Sequence, residues 1–231
     1  METYQLKLTL LSDTCFSRGD GVAGYVDTEI KYDRYGIPYV DGRTVKGLLT
    51  AACAEILDAI SKSCAPDIFE KYLHMAELLF GSPGSKGSSA KLRIGKAKLP
   101  RDLSMAIMRE FPQAITSAER AKFQNLKREY LEAFTVIRRQ TAMDESGAPK
   151  PESLRAIRLI RRELSFSAFV ESEIPLNSDE LSLMAACAKT LTRSGSGRNR
   201  GSGNINVNLL HVDGSVITQP SAARFTQEVL T

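Results

Sequence analysis

An α+β fold is predicted for this 231-residue chain by three observations. Apolar residues alternate with polar ones in short stretches near both ends, apolar residues recur at helical spacing in longer segments between them, and the two patterns interleave in a definite order. Tyr4, Leu6, Leu8 and Leu10 alternate with polar residues, the mark of a half-buried first strand. From Val45 to about Ser61, Leu48, Leu49, Ala52, Cys53, Ile56 and Ile60 fall on one helical face, and residues 66–79 predict a second, shorter helix. Leu92, Ile94, Ala97 and Leu99 suggest a basic strand with imperfect alternation.

Thr116-x-x-Glu119 forms a capping box, so a helix rich in Lys and Arg is predicted over roughly 117–133. The basic segment 135–162 contains Pro149 and Pro151 and predicts no element. Leu164, Phe166, Ala168 and Val170 then alternate as a strand. Asn177 with Glu180 opens a helix whose apolar face is Leu181, Met184, Ala185, Ala188 and Leu191, and Ile205, Val207 and Leu209 make a last strand. Without the intervening segments the order is strand, helix, strand, strand, helix, strand. That is the ferredoxin-like arrangement shared with RNA-recognition (RRM-like) modules. One domain over 1–231 is expected, with insertions at about 12–42 and 100–160 projecting from the core.

Composition narrows the classes. No apolar run approaches the roughly 18 residues that span a bilayer, and Met1-Glu2-Thr3-Tyr4-Gln5 lacks the basic-then-apolar order of a signal peptide, so a cytoplasmic protein with no membrane partner is expected. Cys15, Cys53, Cys64 and Cys187 are scattered without a C-x-x-C pair, which supports neither a zinc site nor a disulfide framework. There is no G-x-S-x-G, and no phosphate-loop G-K-[ST]. His74 sits within the helical pattern of Ile68, Tyr72, Met75 and Leu79, where a partly buried structural imidazole is the expected reading.

The net charge of +4 says less than its distribution. Lys86, Lys91, Arg93, Lys96, Lys98 and Arg101 follow one another without an acid, as do Arg193, Arg198 and Arg200 around a glycine-rich stretch. Such runs are solvated faces or phosphate contacts, and their place beside flexible glycines favours phosphate. In Gly42-Arg43-Thr44-Val45-Lys46-Gly47, Gly42 is expected to allow a tight turn and Thr44 to cap the helix. Arg43 and Lys46 add positive charge where free amides already attract anions. Arg138, Arg139, Arg155, Arg158, Arg161 and Arg162 crowd a second basic segment. No aromatic pair of the base-stacking kind stands mid-strand, so a backbone-reading mode is expected.

The extended stretch from Gly24 through Val26-Asp27-Thr28 to Leu49 resembles the RAMP superfamily of CRISPR proteins, specifically the backbone subunits of type III effector complexes. Leu79-Phe80-Gly81-Ser82-Pro83-Gly84-Ser85-Lys86-Gly87-Ser88 is similar to that family's Gly/Ser-rich connection into its second core strand. Arg139–Asp144 with Ser153–Arg155 resembles its thumb, and Gly197–Gly203 its glycine-rich loop. The resemblance implies that Asp27 cleaves target RNA and that Arg43, Lys46, Lys86, Arg139, Arg198 and Arg200 contact RNA.

It also implies partners: guide RNA, complementary target RNA, other CRISPR effector subunits and further copies of the chain along the guide. For cleavage it implies Mg or another divalent cation and no organic cofactor. A loop carboxylate beside RNA can hold such an ion or orient a water or ribose hydroxyl, whereas Asp33 and Asp41, each shortly before a glycine, are better read as turn-formers. Two other roles fit the same residues: a non-cleaving subunit that caps the guide's handle, and a stand-alone guide-processing endoribonuclease.

Overall fold

The computed structural model describes residues 2–82, 90–112, 116–198 and 200–230. Strands β1 (Glu2–Leu10), β2 (Tyr39–Val40), β3 (Leu92–Ile94), β4 (Ala97–Lys98), β7 (Ser165–Ser172) and β8 (Ile205–His211) form one antiparallel sheet. Its order is β2-β4-β7-β1-β8, with β3 also pairing with β7. Taken as core strands, β8, β1, β7 and the β3/β4 pair stand in the ferredoxin-like order that the sequence predicts. The expected basic strand is broken in two by a one-residue slip in register against β7: β3 and the Gly95 amide, which donates to Phe169 O at 2.9 Å, keep one register, whereas Lys98 stands opposite Ser167, one residue out of it.

Helices α1 (Gly42–Ser63), α2 (Pro66–Phe80) and α5 (Ser178–Thr190) cover one face. Leu6, Leu8, Leu10, Phe166, Ala168 and Leu209 are buried beneath them at 1% exposure or less, together with Leu49, Leu183 and Cys187 of the helices. α5 carries the predicted capping box, Asn177 Oδ1 accepting from the Asp179 and Glu180 amides. Its burial is wider than the predicted apolar face, running continuously from Leu183 to Ala188. The cause is α6 (Thr218–Leu230), which no pattern announced and which packs on the outer side of α5. Phe225 of α6 meets Tyr72 of α2 edge-on at 5.0 Å, and small α5 side chains allow the close approach.

Between β4 and β7 lie α3 (Arg101–Glu110), α4 (Ser117–Phe134) and a hairpin of β5 (Thr135–Gln140) and β6 (Arg155–Ile160). α4 begins at the predicted Thr116/Glu119 capping box. The hairpin occupies the segment where no element is predicted. Its strands are short, and the prolines fall between them, where Met143 and Pro149 form an isolated bridge.

Candidate functional site

Asp27 lies on the surface in a loop held from both sides. Val22 and Val26 close a tight turn, with the Val26 amide donating to Val22 O at 3.0 Å, and a side chain on Gly21 would collide with the Val26 and Asp27 carbonyl oxygens. Beyond the turn the loop pairs with the hairpin through an isolated parallel bridge, Thr28 to Ile157. The Asp27 amide donates to Ala156 O at 2.8 Å, the Ala156 amide donates back to Asp27 Oδ2 at 2.6 Å, and the Arg158 amide donates to Thr28 O at 3.0 Å. Asp27 Oδ1 has no protein partner among the described residues. Ala156 is also the register partner of exposed Arg139, so Asp27 and Arg139 lie on opposite edges of β6, about 10 Å or two strand spacings apart.

The next residues explain the loop's fixed course. Glu29 and Arg158 form an ion pair at 2.9 Å with side chains 1% and 4% exposed, and Arg158 Nη1 donates to Thr135 Oγ1 at 3.0 Å. Glu29 Oε1 accepts from the Ile30 amide at 2.9 Å. Arg158, one of the six arginines that crowd this segment of the sequence, is therefore sealed inside the protein. Arg138 is also engaged, with Ser202 Oγ at 3.0 Å and Asp13 Oδ2 at 3.3 Å. Arg139 and Arg155 stay exposed.

Asp13 joins the hairpin to the glycine-rich loop, since its carbonyl accepts from the Gly203 amide at 3.1 Å and its Oδ1 from the Arg162 amide at 3.1 Å. Ser194 and Gly203 pair at 2.8 Å, and Ser196 donates its amide to Cys15 O at 2.9 Å. Gly195 and Gly203 have φ near +80°, and a side chain on either would strike the Cys15 or Ser194 carbonyl oxygen. The loop is thus fastened at its base, while Arg198 and Arg200 extend from its exposed tip. Arg193 and Arg198 line a cleft of about 300 Å³ against Leu48, Ala51 and Glu55 of α1.

Arg43 and Lys46 are not in that cleft. At 100° per residue they lie on flanks of α1 away from the Leu48/Ala51/Glu55 face, so helical geometry separates them from Arg198. Thr44 does not cap α1, because Asp41 occupies the N-cap and its carboxylate pairs with Lys31 instead. Gly42 is needed for close packing rather than for a turn: a Cβ there would collide with Ile94 O. Asp33 is the turn-former expected, its Oδ1 accepting from the Tyr35 and Ile37 amides at 2.8 and 3.0 Å. His74 is exposed, on the outer side of a helix whose buried face is Tyr72, Met75, Leu79 and Phe80. Lys86 lies outside the described residues.

The acid-free run beside it is only partly free. Lys91 meets buried Glu180 at 2.7 Å and Arg93 meets Glu173 at 2.6 Å, acids supplied by segments far away in sequence. Lys96, Lys98 and Arg101 have no ion pair among the described residues. Sequence reading also passed over Phe169, 55% exposed at the centre of the sheet's open face. Its signal was an aromatic in the polar phase of β7, out of step with Phe166, Ala168 and Val170.

No group of three or more His, Cys, Asp or Glu side chains suited to a metal ion occurs among the described residues. Asp27 contributes a single carboxylate with one oxygen already bonded to Ala156, which is not by itself a cation site. Any ion there would have to take most of its ligands from outside this chain.

A family model described as the RAMP superfamily matches residues 7–206. The fold is similar to a chain in the cryo-EM structure of the type III-B Cmr-beta bound to cognate target RNA, with TM-score 0.62 and 10% identity, over 90% of this chain and 97% of that one. The apo state of Cmr-beta gives TM-score 0.61 at 10% identity over the same shares. A chain of a type IV-B CRISPR complex gives 0.54 at 12% identity, over 91% of each chain. No curated protein matches the sequence.

Proposed function

Because this chain belongs to the RAMP superfamily, we propose that it is a guide-RNA-binding backbone subunit of a type III-like CRISPR effector ribonucleoprotein that presents Asp27 to cleave paired target RNA. The observation that carries the reading is the clamp on the Asp27 loop. A hydrogen bond from the Ala156 amide fixes one carboxylate oxygen and leaves the other without a protein partner among the described residues, on an arm distinct from the palm and across β6 from exposed Arg139. A carboxylate so held can accept a proton from, and align, a ribose hydroxyl or water, and in such chemistry position counts for more than intrinsic reactivity.

In this reading base pairing between guide and target provides sequence specificity. The protein provides backbone contacts from Arg43, Lys46, Lys86, Arg139, Arg198 and Arg200, and successive copies bind along the guide with other effector subunits in the cytoplasm. A divalent cation, where used, would sit between Asp27 and RNA oxygens and stabilise charge on the phosphate.

The test is Asp27→Asn in the assembled complex with guide and labelled target. Asparagine keeps an acceptor for the Ala156 amide and removes the charge. Target binding unchanged with cleavage reduced at least about 100-fold, the usual scale for a positioned acid or base, is the expected result. Equal cleavage by both proteins would refute the assignment. Excess chelator should act like the mutation if a cation takes part, and full activity in chelator means metal-free activation of the ribose hydroxyl.

A second reading is favoured by the same Ala156 bond. A carboxylate that fastens a loop is also what a non-cleaving, handle-capping subunit needs, and Asp27→Ala would then loosen the loop without affecting any cleavage.

A further inference from the structure

One face of the sheet has no helix over its centre, and its side chains follow from the strand register. Lys7 of β1 and Lys98 of β4 both stand opposite Ser167 of β7, forming a row across three strands. In the next row Gln5 stands opposite Phe169, about 7 Å away along the strands. Lys96 is brought alongside by the Gly95 amide bond to Phe169 O, and its Nζ lies 4.6 Å from the Tyr39 ring. Phe169, Gln5, Ser167, Lys96 and Lys98 share a cleft of about 520 Å³, a volume within the range of small-ligand sites.

Resting on the RNA-binding reading above, we infer that this open face is a further RNA-contact surface, where Phe169 stacks one unpaired nucleobase and Lys7, Lys96 and Lys98 meet the adjoining phosphates. An aromatic exposed on a central strand, flanked by cations, is a sequence-tolerant platform for single-stranded nucleic acid. The three lysines have no ion pair among the described residues. The acids near this face are Glu171, in the row beyond Phe169 and opposite Arg93, Glu173, which Arg93 engages at 2.6 Å, and Asp33, which lines the adjoining cleft with Lys96 and Lys98 and whose Oδ1 accepts from the Tyr35 and Ile37 amides. Polar Gln5 and Ser167 beside the ring suit the edge of a base. A protein partner would want a broader apolar centre than this one exposed ring supplies.

The chain contains no tryptophan, so Phe169→Trp creates a single emission reporter at the site. An unstructured, mixed-sequence single-stranded RNA should quench it saturably, and the same RNA annealed to its complement should not. Phe169→Leu keeps an apolar side chain and removes the ring, so affinity should fall about 5- to 150-fold, the range for one stacked base. Replacing Lys7 and Lys98 by Ala should lower the salt slope by about 1.4, at about 0.7 per single-strand contact. If wild-type protein binds RNA while the emission of the Phe169→Trp variant stays unchanged and Phe169→Leu binds equally well, this inference fails and the RNA-binding reading stands. If the wild-type chain binds no RNA alone or assembled, both fail. Emission that changes with protein concentration and not with RNA would overturn it in favour of a contact between copies.

Discussion

Two basic regions that look alike in sequence behave differently in the fold. In the β5–β6 hairpin two of the four arginines are occupied, Arg158 buried against Glu29 and Arg138 held by Asp13 and Ser202, while Arg139 and Arg155 stay exposed. In the glycine-rich loop the backbone makes the attachments, through Cys15, Asp13 and Ser194, and Arg198 and Arg200 are left to solvent. The hairpin uses charge to build the arm that carries Asp27. The loop uses glycine to build a base and leaves its charge exposed. A cluster of arginines is therefore a binding surface only to the extent that the fold does not bring acids to it.

The contrast is most exposed to test at Glu29. Removing one member of a buried pair strands the other charge, so Glu29→Ala should destabilise the protein by about 3–5 kcal/mol, read as a lowered midpoint in chemical denaturation. A change below about 1 kcal/mol would mean the hairpin does not depend on its internal charge. Glycine is the corresponding support in the other region. Gly203→Ala should cost about 1–3 kcal/mol because a left-handed residue would also press on the Ser194 carbonyl, whereas Gly201→Ala, also at positive φ but facing open space, should cost about 1 kcal/mol. Equal losses at the two positions would show that close approach to Ser194 does not matter.

Neutralising Arg198 and Arg200 together should leave stability within about 0.5 kcal/mol of wild type, as for other exposed positions. It should weaken RNA binding to a similar degree for unrelated sequences and flatten the salt dependence by about 1.4 logarithmic units. Loss for one sequence only would break the backbone-reading account. The smallest effect concerns the hairpin tip, where hydrogen bonds from the Ser146 hydroxyl and the Ala148 amide hold the exposed Asp144 carboxyl below its usual range. Folding lowers that pKa, so the tip's stabilisation is complete above the ordinary aspartate range and is lost as pH falls through the lowered value. Amide exchange at Ser146 and Ala148 should rise there relative to the hairpin base, and Asp144→Ala should remove the pH dependence.

Much of the palm was legible in the sequence, because its signals are local. Period-two alternation in Tyr4–Leu10 and Phe166–Val170 and the capping boxes at Thr116 and Asn177 arise from residues a few positions apart, and the structure places strands and helices there. The Asp27 loop could be picked out by its resemblance to a family, but not its attachment, since Ala156 is 129 residues away. What the sequence alone determined is the alternation, the helical faces, the caps and the stock of charges. Only the tertiary structure decided which charges remain free, because burial and ion pairing join distant segments: Glu29 to Arg158, Glu180 to Lys91, Asp13 to Arg138. It likewise decided that Phe169 stands bare, since exposure depends on which face the helices cover, and no single strand encodes that.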